Sequence, residues 1–217
     1  MRRRAEQVDQ TRQRIVEAAV ALHGSVGPAA TTIAAIAEKA GVTRLTVYRH
    51  FPDDDALVGA CSAHWISRQQ LPDPGAWSQI GDPAARLRAG LADLYRFYRA
   101  GAGMLTGIYR DFAALPEAHQ QRLRDRDRYF GDVLAAPFGS AGDDHRRLRA
   151  VIDHATSFWT WRSLCIDHGL PDTEAVDAMT GMVLTLTSAQ QAEPPQVRAQ
   201  ISQLSPSSRA GRQARGR

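Results

Sequence analysis

The chain has 217 residues, 43% of them hydrophobic and 23% charged, which is the composition of a globular protein. It has no apolar run near the roughly 18 residues of a membrane span. Its net charge is +4, but residues 1–52 carry eight basic and four acidic side chains, 53–190 carry 14 and 18, and 191–217 carry five and one. The middle of the chain has no reason to seek a polyanion, whereas the first fifty residues do.

In chain order, Ile15, Ala18, Ala19 and Leu22 recur at helical spacing and predict a first helix over about 11–23, stopped by Gly24 and Gly27-Pro28. Thr32 is a good N-cap for a second, short helix with Ile33, Ile36, Ala37 and Ala40 on one face, ended by Gly41. Thr43 caps a third, on which Val47 and Phe51 lie one turn apart, closed by Pro52. Two short helices around a glycine turn make a helix-turn-helix pattern. A fourth helix is expected from Asp53–Asp55 to Arg68, a loop at Pro72, Pro74 and Gly75, a fifth helix over 83–99, and a sixth over 104–115. A seventh opens at Pro116 and ends near Ala135, an eighth covers 143–167, and a ninth runs from Asp172 to about Gln190. The apolar residues show no strand alternation. The fold expected is all-α, about nine helices in all: a three-helix helix-turn-helix domain (1–52), a larger helical domain (53–192), and a disordered basic tail (193–217) of Pro, Ser, Gln, Gly and Arg. The tail either floats in solvent or adds loose affinity for DNA. Arg2, Arg3 and Arg4 are either a solvated terminus or an arm for the minor groove.

The segment from Thr31 to Pro52 resembles the DNA-binding signature of the tetracycline-repressor (TetR) family. The likeness rests on the spacing of Thr31-Thr32, Ile36-Ala37, Ala40-Gly41-Val42-Thr43, Thr46-Val47-Tyr48 and His50-Phe51. The residues support the same reading by themselves. An α-helix fits the major groove. With Val47 and Phe51 turned to the core, Arg44, Leu45, Tyr48 and Arg49 face outward. Arg44 suits a bidentate contact to guanine, Leu45 a thymine methyl, and Tyr48 and His50 phosphate oxygens. Thr32 and Thr43 sit at helix starts, where free N–H groups favour an anion; Thr46 completes the set. Two positions depart from the family pattern. His23 stands where an aromatic core residue is usual. Asp54 stands where many members carry a phosphate-contacting lysine.

The ninth helix, around Met179, Met182, Val183 and Leu186, is apolar nearly all round. The eighth has two apolar stripes, one of Leu148, Ile152, Ala155 and Trp159 and one of Val151, Phe158 and Cys165. The resemblance implies that these two helices pair with their copies in a homodimer, which would read a palindromic operator on double-stranded DNA. It also implies a cavity for an unknown small-molecule effector among helices four to eight. Its candidate lining is Trp65, Tyr95, Tyr98, Met104, Tyr109, Phe112, Phe158, Trp159 and Arg162. Repression relieved by the ligand is the function expected, in the cytoplasm, with no cofactor, metal, catalytic residue or membrane.

Two rivals stand beside it. Asp153-His154 and Asp167-His168 look like acid–base pairs, but 14 residues of one helix separate them by roughly 21 Å. Cys61 and His64 could begin a metal site without further ligands. No phosphate-binding glycine loop or nucleophile motif is present, so the enzyme reading is the weaker rival. The other is an interaction module that has lost its operator, kept alive by Asp54. The two cysteines, Cys61 and Cys165, read as small buried hydrophobes of a reducing compartment, with redox sensing as the alternative.

Overall fold

A computed structural model of the chain describes residues 2–139 and 142–192; the basic tail expected over 193–217 lies outside the described residues. Eleven α-helices follow one another: α1 (Arg2–Ser25), α2 (Ile33–Ala40), α3 (Arg44–His50), α4 (Asp54–Ile66), α5 (Pro74–Ser78), α6 (Pro83–Ala100), α7 (Ala102–Arg110), α8 (Glu117–Ala135), α9 (Gly142–Thr156), α10 (Phe158–Arg162) and α11 (Asp172–Ala192). No strand occurs among the described residues. None of their helices is long and apolar enough to cross a membrane.

The side chains gather into two cores. In the first, Ile15, Val16, Ala18 and Ala19 of α1 meet Ile36, Ala37 and Ala40 of α2, Val47 of α3, and Phe51. This core also takes Leu57 and Cys61 from α4, past the boundary expected at residue 52. The second core collects α6, α8, α9, α10 and α11 around Leu87, Leu91, Tyr95, Leu134, Leu148, Ile152 and Trp161. α4 therefore belongs to both halves: its first two turns pack under the helix-turn-helix, and Trp65, near its end, packs against the second core.

Three differences from the sequence expectation have local causes. α1 begins at Arg2 rather than near Thr11, because nothing in residues 2–10 breaks a helix. The expected loop at Pro72–Gly75 contains α5: Asp73 accepts a hydrogen bond from Ala76 N–H and Pro74 occupies the first turn, where proline's missing N–H costs nothing. α5 is held by Trp77, buried edge-on against Phe130 with ring centroids 5.5 Å apart and its Nε1–H donated to Asp93 at 3.1 Å. Thus α5, with the division of the expected eighth helix, raises the nine helices expected to eleven among the described residues.

That division is at Ser157, whose backbone is extended (φ −65°, ψ 136°) and whose hydroxyl caps α10 by accepting from Trp159 N–H at 3.2 Å. One non-helical residue shifts the phase of everything after it. The buried stripe therefore runs Leu148, Ile152, Ala155, Phe158, Trp161, while Trp159 turns outward and is 45% exposed. α10 then continues as one turn of π-helix over 163–167.

A polar clasp ties the α1–α2 turn to α7. Arg110 Nη2 donates to Val26 O at 2.8 Å and pairs through Nε with Asp111 at 2.7 Å; Asp111 in turn accepts from Ala29 N–H at 3.1 Å. Gly27 lies beneath with φ +90°, where a Cβ would meet the Arg110 guanidinium. The left-handed backbone is what calls for glycine here.

Candidate nucleic-acid interface and cavity

α2, α3 and the turn between them form a capped unit. Thr32 accepts from Ala35 N–H at 3.1 Å and Thr43 from Thr46 N–H at 3.2 Å, with the Thr43 and Thr46 hydroxyls 2.9 Å apart. Gly41 closes α2 at φ 65°, a left-handed conformation that glycine adopts without strain. Val47 and Phe51 are buried, and the Arg12 guanidinium lies 4.7 Å above the Phe51 ring. This fixes the rotation of α3 and leaves its other face open. Leu45 is 68% and Tyr48 53% exposed, with Arg44 and Arg49 exposed beside them and His50 half-buried at the end. Neither arginine has a carboxylate partner among the described residues. The structure thus brings Arg44, Leu45, Tyr48 and Arg49 together on one free face.

The three aspartates that follow are largely accounted for by folding. Asp53 caps α4 by accepting from Ala56 N–H at 2.8 Å, and Asp55 reaches Arg122 of α8 at 3.3 Å. Asp54, in the first turn of α4, is exposed.

A cavity of about 280 Å³ opens where α1, α4, α6, α7 and α8 meet. Of the aromatic and sulfur side chains expected to line it, Trp65, Tyr98 and Met104 do. Tyr95 does not: it is fully buried in the second core, donating its hydroxyl to Ala155 O at 2.9 Å. Tyr109 stacks on Phe158 at 4.9 Å, and both face a separate, open and charged cleft between α8 and α9. Phe112 lies under the Arg124 guanidinium, Trp159 is on the surface, and Arg162 bonds the Thr106 hydroxyl at 3.2 Å. The residues that sequence reasoning missed include Val20, His23, Phe97, Leu105, His119 and Arg126. His23 had a signal, its departure from an aromatic pattern. The others depend on which helix faces leave the gap, and periodicity does not encode that.

Burial sets the chemistry of this wall. It pushes the Cys61 thiol up to about 12, so this cysteine is an inert thiol at neutral pH. Burial also lowers His23. It lowers His119 likewise, aided by the charge of Arg122 and opposed by Asp55. Both imidazoles are therefore neutral near pH 7. Because their folded values lie below the unfolded 6.5, the protein keeps their full contribution above that pH and loses it as pH falls below. The melting temperature is expected to be level from pH 8 down to about 6.5 and to decline toward pH 5. His23→Phe should flatten part of that decline, as a thermal scan across pH would read.

At the expected dimer face, Phe158, Cys165 and Val183 point into the subunit's own core and are not available to a partner; the phase shift at Ser157 and the packing of α11 on α6 and α9 put them there. Val151, Met179 and Leu186 are half-buried, and Met182 is exposed together with Trp159 and Ile166. Cys61 and His64, a conceivable metal pair, diverge: the thiol faces Val16 O and the imidazole Nδ1 faces Gln13 at 3.2 Å.

Comparison with known proteins agrees with this geometry. Residues 15–61 match the model of the bacterial regulatory proteins of the tetR family. Sixty residues are 47% identical to the HTH-type transcriptional regulator TtgR of Pseudomonas putida, a match spanning 28% of this chain and 29% of that protein. The fold as a whole is similar to the TetR-family regulator PfmR of Thermus thermophilus (TM-score 0.56, 16% identity, 79% of this chain and 97% of that one). It is also similar to a tetR-family transcriptional regulator of Streptomyces coelicolor (TM-score 0.57, 17% identity, 90% and 88%). Residues 15–61 thus carry the sequence of a tetR-family DNA-binding region, and the chain as a whole is similar in fold to solved regulators of that family.

Proposed function

We propose that this chain is a transcriptional regulator that binds a palindromic operator as a homodimer and leaves it when a small molecule enters the cavity. The observation that carries the DNA half is the open face of α3, where Arg44, Leu45, Tyr48 and Arg49 stand exposed with no acidic partner among the described residues. Such a face suits base edges flanked by phosphates. Residues 1–52, with the first turns of α4 packed beneath them, serve as the DNA-binding unit, and the remainder of 53–192 as the ligand and dimer unit. The exposed Trp159, Ile166 and Met182 and the half-buried Val151, Met179 and Leu186 are the apolar side chains a second copy would cover. Two recognition helices so related would sit about 34–36 Å apart, one turn of DNA. Occupation of the cavity acts through α4, which lines it with Val58, Trp65 and Ile66 while anchoring the helix-turn-helix with Leu57 and Cys61. A ligand that fits one α4 position better than another shifts the population of subunit arrangements. Repression by occupancy of a promoter is the resulting role.

The test is a gel-shift titration on DNA from upstream of the chain's own gene and its neighbours, repeated at several salt concentrations. Saturable binding that favours a palindrome and weakens steeply with salt is expected, because each phosphate contact releases counterions. Equal, weak binding to every sequence would sink the reading and favour an interaction module without an operator.

A further inference from the structure

Two polar groups of the cavity wall have no use in DNA binding. His23 is only 7% exposed and lines the cavity, and among the described residues no hydrogen-bond or ion-pair partner meets its ring. Its ring nitrogens are not sealed off as Thr180 Oγ1 is, which leaves them accessible to a molecule in the cavity. His119, 8% exposed, reaches the cavity from α8. Its Nδ1 lies 2.8 Å from Arg122 Nη2; an arginine only donates, so Nδ1 accepts and the ring's proton sits on Nε2. Most of the remaining wall is apolar. The one arginine in it, Arg126, is already held by the Asp127 carboxylate at 2.6 Å and the Tyr109 hydroxyl at 2.6 Å, which leaves no unbalanced cation for an anionic ligand.

We propose that the cavity takes a compact, uncharged, mainly apolar molecule bearing a hydroxyl or phenol oxygen, and that His23 is the specificity-determining residue that hydrogen-bonds that oxygen. The regulatory meaning of this rests on the effector reading above; the binding chemistry does not. A neutral imidazole offers one acceptor and one donor, and a hydroxyl can answer either. A carboxylate would surrender its hydration with no free charge opposite. The volume, about 280 Å³, is the room of about nine waters at ~30 Å³ each, enough for one substituted ring. His23 stands on α1, the same helix that carries Ile15 and Ala19 into the first core. A ligand of this kind would therefore touch the DNA-binding unit itself and would not act through α4 alone.

Isothermal titration of the full chain at neutral pH with p-tert-butylphenol, tert-butylbenzene and p-tert-butylbenzoate tests this. The phenol is expected to bind about tenfold tighter than the hydrocarbon, with the benzoate weakest. His23→Phe and His23→Leu should bind the hydrocarbon but lose the preference for the phenol, while His23→Gln, which keeps a hydrogen-bonding group, retains part of it. Melting curves establish that each variant is folded, and three substitutions at one position keep the result readable if one is not. A benzoate that binds tightest, a preference that survives in His23→Leu, or no binding by any of the three compounds overturns the proposal. The titration contains no DNA, so its outcome and that of the gel shift fail separately.

Discussion

Trp161→Ala is expected to lower the free energy of unfolding by about 3–5 kcal/mol, the range for truncating a fully buried tryptophan. The side chain is fully buried, and its partners lie on three helices. Its ring lies 5.5 Å from that of Phe158 and 5.9 Å from that of Tyr98, and its Nε1–H donates to Asp172 at 3.0 Å. Asp172 also accepts both arms of Arg99 at 2.6 Å, so the substitution removes packing and one bond from a carboxylate that fastens the start of α11 to α6. At about 2–4 °C per kcal/mol for a chain of this size, a fall in melting temperature of roughly 6–20 °C should be seen by calorimetry. A fall of only a degree or two would mean that α10 is not packed as described.

Arg44→Ala is expected to weaken operator binding by about 1–3 kcal/mol, roughly 5–150-fold, and to relax the preference at one base pair of each half-site. Arg44 opens α3 and carries no intramolecular bond among the described residues, so its loss should leave the melting temperature unchanged and act on binding alone. Arg49→Ala should differ in kind: it should weaken all sequences alike and reduce the salt slope by about one. Fluorescence anisotropy on the operator and on single-base variants would separate the two. If Arg44→Ala weakened every sequence equally, its guanidinium would be a phosphate contact and base reading would pass to Leu45 and Tyr48.

The helix-turn-helix was legible because its determinants are local. Thr32, Gly41, Thr43 and Pro52 punctuate it, and the positions of Val47 and Phe51 fix which face of α3 is outward. The larger half was less so. One extended residue, Ser157, reversed the faces of Phe158 and Trp159, and no periodicity reveals a phase shift produced by a single capped joint. α5 was hidden because Pro72, Pro74 and Gly75 read as breakers, whereas Pro74 after Asp73 starts a helix. The cavity was legible only in Trp65, Tyr98 and Met104. Aromatic residues such as Tyr95 and Phe158 are consumed by the core, and the wall is finished by His23 and His119, which a search for hydrophobes passes over.

The clasp of Arg110 and Asp111 on the α1–α2 turn has a mechanical consequence. α7 is a rod of nine residues, about 13 Å long. Met104, Leu105 and Ile108 of this rod face the cavity, and its last residue grips Val26 O. Gly27, the natural place for a flexure, is roofed over by that grip. On the function proposed above, load applied at the cavity would reach the turn that feeds α2 through this grip, and the helix-turn-helix would be carried on the lever as one body. Its rate should be that of collective domain motion, microseconds to milliseconds, and slip or melting of the turn would mean that the grip had first let go.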